Sequence, residues 1–302
     1  MTRKLKLLSS IVAGMTLITA CEKNNLDDYE VAKDIDVTSK TLVRFIHAFP
    51  SNSINTVSPV LVTTAPPAFR FFVNGKQLNG ATIAGTSPSN LTFYFGAFPG
   101  VNTTAPTTNG SNGSLNTGSA AASTVLPDYA VFPGGETRVA AVINRLTGAS
   151  PADTVIAGNF TFQNGKRYTM IAADTIPNQR FFQFEDNWTI PSIGFYQIRV
   201  INMAPNITFS TFDVYSRRRA GNIAQGVPYR TQTQYPEIPV VGTLGLTNDT
   251  LELRAGGTTT TLAQFNGFFP VSQRVYTFVI RGMSNLPASN ARTLTLSGYL
   301  NR

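Results

Sequence analysis

From residue 40 onward, apolar side chains recur mostly at every second position, in short runs broken by Gly, Pro and Asn. That period predicts half-buried strands joined by tight turns. No stretch holds the period of a long amphipathic helix, so an all-β fold is expected. The stretch LVRFIHAFPSN (42–52) reads as a buried strand running into a turn, and QIRVINMAPN (197–206) repeats it. Further blocks recur in the same order. FRFFVNG (69–75) matches FDVYSRR (212–218), and DYAVFPGG (128–135) parallels QYPEIPVVG (234–242). KRYTMIAAD (166–174) matches RVYTFVIRG (274–282), and RFFQFEDN (180–187) aligns with RTLTLSGY (292–299). Five blocks in one order predict a tandem duplication. Its period exceeds that of solenoid repeats, so each copy is expected to be a domain with its own core. The expected domains are 40–190 and 191–302. The first copy carries a low-complexity insertion at 99–127, expected to be exposed and disordered.

The N-terminus departs from the strand pattern. Arg3, Lys4 and Lys6 precede an apolar run from Leu7 to Ile18. The run is shorter than the ~20 residues that a permanent span needs, and it fits a secretory signal over 1–20. Ile18-Thr19-Ala20-Cys21 resembles the bacterial lipobox. The resemblance implies cleavage before Cys21, acylation of that cysteine and attachment to the membrane through it. Several acyl chains hold a protein stably where one holds it marginally. Cys21 is the only cysteine, so an internal disulfide is impossible. Residues 21–39 are polar and acid-rich, the composition of a tether. Acid-rich stretches after the lipidated cysteine resemble the surface-export signal of Bacteroidota lipoproteins. The expected location is the outer membrane, at the cell surface, with a periplasm-facing attachment as the alternative.

Charged residues make up only 13% of the chain, about half the usual share of roughly 25%. With many Thr, Asn, Ser and Gly, this favours an extracellular β protein. The net charge of +8 falls by three when the signal is removed. No basic stripe or nucleic-acid motif accompanies it, so no nucleic-acid partner is expected.

The repeated phrases resemble the family called "domain of unknown function 4397". Val43, Arg44, His47, Ala48 and Pro50 match its first strand, Phe72, Val73, Asn74 and Gly75 its hairpin, and Tyr129, Pro133 and Gly135 its third block. In the second copy the matches are Arg199, Asn202, Ala204, Pro205, Asp213, Val214, Tyr215, Tyr235 and Pro239. The resemblance covers most of 40–302. It implies a small antiparallel β-sandwich in exported, often surface-anchored proteins, with no established activity. The expected architecture is therefore two tandem antiparallel β-sandwich (Ig-like) domains after a signal peptide and tether.

Candidate chemistry is sparse. His47, the only histidine, is replaced by Asn202 in the second copy. The two side chains share hydrogen bonding, not base catalysis or zinc ligation. With one His and one lipidated Cys, neither a zinc site nor a Ser-His-Asp or Cys-His apparatus is expected, and no cofactor. Arg44 and Arg199 occur in both copies and read as ion pairs or stacked guanidiniums at the sheet surface, with an anion contact as the alternative. Adjacent Glu185 and Asp186 point to opposite faces of a strand and make a poor acid pair. Tyr168 and Tyr276 are expected to tie their hydroxyls to backbone. Asp153-Thr154-Val155, Asp174-Thr175-Ile176 and Asp249-Thr250-Leu251 resemble O-glycosylation acceptors of Bacteroidota exported proteins. The candidate ligand contacts are Trp188 and Phe181, an aromatic group near the domain junction, and the basic cluster Arg217, Arg218 and Arg219. Each has a plainer reading, interface packing for the rings and a solvated hairpin tip for the arginines. The leading expectation is a non-catalytic, lipid-anchored envelope protein that binds a glycan or envelope protein or organises the surface. The alternatives are a glycan-capturing accessory of a polysaccharide-uptake system and a carboxylate-dependent hydrolase.

Overall fold

The computed structural model describes residues 38–48, 69–77, 97–98, 129–143, 154–174, 178–205, 208–241, 248–284 and 293–301. Cys21, the tether up to residue 37 and the insertion at 99–127 lie outside the described residues, as does the side chain of His47. Among the described residues every regular element is a strand. The first half contributes β1 (Lys40–His47), β2 (Phe69–Val73), β3 (Lys76–Gln77), β4 (Ala97–Phe98), β5 (Ala130–Pro133), β6 (Gly135–Ile143), β7 (Thr154–Phe162), β8 (Arg167–Ala173) and β9 (Arg180–Glu185). The second contributes β10 (Phe195–Asn202), β11 (Thr211–Ser216), β12 (Gly221–Pro228), β13 (Thr231–Gln232), β14 (Glu237–Pro239), β15 (Asp249–Ala255), β16 (Thr261–Phe268), β17 (Val275–Arg281) and β18 (Thr295–Leu300).

The pairing of the first half recurs strand for strand in the second. One sheet runs β4-β1-β8-β9 with β5 also on β1, and its counterpart runs β13-β10-β17-β18 with β14 on β10. The other sheets run β3-β2-β6-β7 and β12-β11-β15-β16. Pairing is antiparallel except at the centre of the larger sheets, where β1 runs parallel to β8 and β10 parallel to β17. A hairpin cannot join a parallel pair, so the whole opposite sheet is built between these two strands. The last repeat block needs one correction. Arg180 pairs Ala173 and Thr295 pairs Arg281, so Arg180 corresponds to Thr295 and not to Arg292.

Each half closes its two sheets on an apolar core. In the first, Phe45, Phe71, Met170 and Phe181 meet between the layers. In the second, Phe278 sits edge-on to Phe265 and Phe268, both at 5.3 Å. The tyrosine expectation holds in both: the amide of Gln163 donates to the Tyr168 hydroxyl at 3.2 Å, and that of Val271 to Tyr276 at 3.1 Å. A third apolar cluster belongs to both halves. Ile46, Ala48, Ile171, Ala173 and Phe184 pack with Ile201, Met203, Val279 and Tyr299. The central strands β8, β10 and β17 are consequently buried on both faces, a pattern that reads as continuous apolar sequence.

Glu252 on β15 shows how the outer sheet of the second half spends its charges. Its carboxylate accepts from Arg217, from Arg254 at 2.6 Å and from Thr261 at 3.0 Å. Burial alone would raise its pKa, but the bonds from Arg254, Arg217 and Thr261 hold it below the ordinary value. A carboxylate lowered on folding stabilises the fold above its unfolded pKa of about 4.3. That support is lost as pH falls through the lower, folded value. The Tm should therefore decline below about pH 4.3, with a shallower decline for Glu252→Gln. Equal acid-limb slopes in differential scanning calorimetry would show that this carboxylate contributes nothing.

Candidate functional site

Two places in the structure hold candidate residues. The first is a buried polar centre where the larger sheets of the two halves face each other. Arg44 on β1 and Arg199 on β10 occupy equivalent positions, and both are 0% exposed. Arg199 meets Asp186, just after β9, at 2.5 Å, with both side chains fully buried. It also donates to the Glu185 carbonyl at 3.2 Å, to Gln232 at 2.9 Å, and to Thr169 and Thr277 at 3.1 Å each. Arg44 makes the reciprocal reach. It donates to the carbonyl of Leu300 and to Asn301 Oδ1 at 3.1 Å, just after β18. Leu300 and Asn301 are the counterparts of Glu185 and Asp186. Each arginine thus closes on the end of the other half's last strand.

Tyrosines cap both guanidiniums. Tyr129 lies 4.6 Å from Arg44 and Tyr235 lies 4.9 Å from Arg199. The Tyr129 hydroxyl donates to Asp186 at 2.7 Å, and Asn301 donates to Tyr235 at 2.9 Å. Burial, then the neighbouring Asp186, pushes the Tyr129 pKa well above its usual value, so the ring stays a donor. Burial works against the Arg199 charge, but Asp186 with Tyr235 and Tyr129 outweighs it and the pKa is raised. Asp186 further accepts from Thr169 at 2.8 Å. Both of its oxygens are therefore bonded within the protein. The centre is a closed brace, and the sequence reading of an ion pair or stacked guanidinium holds for the contacts, an ion pair at Arg199 and stacking at both, although the arginines are buried between sheets.

The second place is the segment linking β9 to β10 and what it touches. Trp188 is half-buried under Arg167, whose guanidinium lies 4.3 Å from the ring centre. Beyond it, Ile190 and Ile193 are 57% and 84% exposed. Ser192 and Phe195 close a turn with Gly194 at φ +84°, leaving Ile193 at the tip. The amide of Val240 donates to the Gly194 carbonyl at 2.8 Å, which brings exposed Val241 alongside. Arg218 donates to the Val241 carbonyl and Arg219 to the Pro239 carbonyl, each at 2.9 Å. Arg217 pairs with Glu252.

The sequence candidates therefore separate. Phe181 is core, 6.1 Å from both Phe71 and Phe160, and offers no outer face. Trp188, Arg218 and Arg219 border the linking segment. Asp213, confined to the second copy, spends both oxygens on the amides of Gly226 at 2.6 Å and Gly257 at 3.0 Å, pinning two turns. Asn202 donates to the Val227 carbonyl and accepts from the Ala204 amide, the strand-closing role expected of it. The tyrosine caps and the two isoleucines were missed. The joint recurrence of Arg44 with Tyr129 and of Arg199 with Tyr235 carried the first signal. Two isoleucines in the turn-forming stretch TIPSIG carried the second. A cleft of about 270 Å³ also opens in the second half, lined by Thr208, Phe209, Ser210, Thr258 and Thr260. Among the described residues no three metal-ligating side chains converge, and no helix is long and apolar enough to cross a membrane.

A family model described as "Domain of unknown function (DUF4397)" matches residues 111–215. The match spans β5 to β11, a narrower stretch than the sequence resemblance. No curated protein matches the chain.

Proposed function

We propose that this chain is a non-enzymatic, lipid-anchored protein of the bacterial cell envelope, in which two Ig-like sandwich modules act in binding or surface organisation. One observation carries the reading. Among the described residues, acids that could serve catalysis are spent on internal bracing, Asp186 with Arg199, Asp213 with two turns, and Glu252 with two arginines. Anchoring would come from Cys21, with residues 22–39 as the tether. The outer membrane, at the cell surface, is the location this reading implies.

Growth with an alkyne fatty acid tests the anchor. The expected result is label on the native chain and none on Cys21→Ser, with the variant shifted from the membrane to the soluble fraction. An unlabelled native chain would sink the anchor. The hydroxyl-rich cleft beside Phe209 favours a second reading, a glycan-capturing accessory. Retention of the unacylated chain on a glycan array decides for it.

A further inference from the structure

The three large hydrophobics exposed among the described residues are Ile190 and Ile193 on the linking segment and Val241, whose neighbour Val240 is bonded to that segment's turn. Turn tips are ordinarily Gly, Asn, Asp, Ser or Pro, yet Ile193 holds one at 84% exposure. Arg218 and Arg219 reach the backbone at Val241 and Pro239. Each spends one N–H on a backbone carbonyl, and a guanidinium has five to give. The nearby acids are engaged. Glu237 accepts from the amide and hydroxyl of Ser192, and Asp249 accepts from Ser216 and from the Arg218 amide.

The position of these side chains on the body says what would meet them. The described chain enters through Ser39 and Lys40, where the Lys40 carbonyl accepts from the amide of Gly165 at 2.8 Å. The amide of Asp186 bonds the Arg167 carbonyl at 2.7 Å beside that turn, and the linking segment starts there. The N-terminal entry and the start of the segment that leads to Ile190 and Ile193 therefore share one end of the first half.

We infer that this apolar, arginine-flanked rim docks on an anionic membrane surface. The isoleucines would enter the headgroup–acyl boundary, and Arg218 and Arg219 would bind lipid phosphates. Two like-charged rims repel, which disfavours a second copy as the occupant. The inference rests on the lipid-anchor reading for the nearness of a bilayer. A tether from Cys21 to Ser39 reaches at most about 60 Å, so the anchored body stays within range of the bilayer.

The test uses the chain from residue 21 carrying Cys21→Ser, which has no acyl group, in co-sedimentation with phosphatidylcholine vesicles with and without phosphatidylglycerol. Binding is expected on the anionic vesicles and is weakened by salt. Ile190→Asp with Ile193→Asp should lower it at least about tenfold with Tm unchanged, since both side chains are exposed. Arg218→Gln and Arg219→Gln should each cost about fivefold. Absence of a preference for phosphatidylglycerol, or binding unmoved by the isoleucine pair, overturns the proposal. So does vesicle-free self-association that the isoleucine pair abolishes, which would make the rim a homotypic interface. Because the probe chain is unacylated, this result is independent of labelling at Cys21, and either reading can fail alone.

Discussion

Asp186→Ala should cost the fold about 3–5 kcal/mol, the loss typical of a buried ion pair broken on one side. The cost comes mainly from what stays behind. Arg199 would keep a fully buried guanidinium whose remaining partners, Thr169, Thr277, Gln232 and a carbonyl, are all neutral. The Tyr129 hydroxyl and Thr169 would lose their acceptor as well. Asp186→Asn is the informative comparison, because the molecule already contains that arrangement: Asn301 faces Arg44 where Asp186 faces Arg199. The Asn variant should recover part of the loss, since its oxygen can still accept. Asp186→Leu with Arg199→Met should cost less than either single change, because no charge is then left buried. Denaturant unfolding at neutral pH measures all of these. A loss under about 1 kcal/mol for Asp186→Ala, the scale of a surface pair, would show that water reaches the centre and that the brace is not one.

Much of this architecture was legible, and the exceptions have physical reasons. Period-two patterning identified the strands, and four repeat blocks fell in the observed register, with Val43 on Ile198 and Tyr168 on Tyr276. The fifth slipped by three residues. An odd slip exchanges the faces of a strand. It would align Phe184 with Leu296, although Phe184 joins the cluster between halves and Leu296 the second core. Phe184 corresponds instead to Tyr299, and Phe181 to Leu296. That block has few side chains in common, so only hydrogen-bond register fixes it. A sandwich with one wet face per sheet places Arg44 and Arg199 at the sheet surface. The strand face that carries Arg199 also carries Ile201 and Met203, apolar side chains that argue against a wet face. Adjacent Glu185 and Asp186 do point apart, as expected: Glu185 pairs with Lys166 in solvent and Asp186 turns inward. What the local pattern could not supply was the partner of the inward face, because that partner lies on the other copy.

The same inward face predicts that residues 191–302 expressed alone will not fold to a stable monomer. The fragment keeps its own core around Phe278, which argues for independence. Against this, it uncovers Ile201, Met203, Val279 and Tyr299, all at 1% exposure or less in the whole chain. Three of them are aliphatic or thioether side chains, each worth roughly 1.5–3 kcal/mol when fully buried. Their sum rivals the roughly 5–15 kcal/mol by which a whole domain is stable. Arg199 would also lose Asp186, Thr169 and the Glu185 carbonyl together, although the newly wet face would rehydrate it. Regained solvation of the arginine therefore offsets little of the exposed apolar area. The expected result is a fragment that aggregates or unfolds without a sharp transition, while the chain carrying both halves unfolds in one cooperative step. A fragment that stays monomeric and melts cooperatively near the Tm of the full chain would mean that the shared cluster and the arginine exchange contribute little, and that the halves are independent modules joined by a linker.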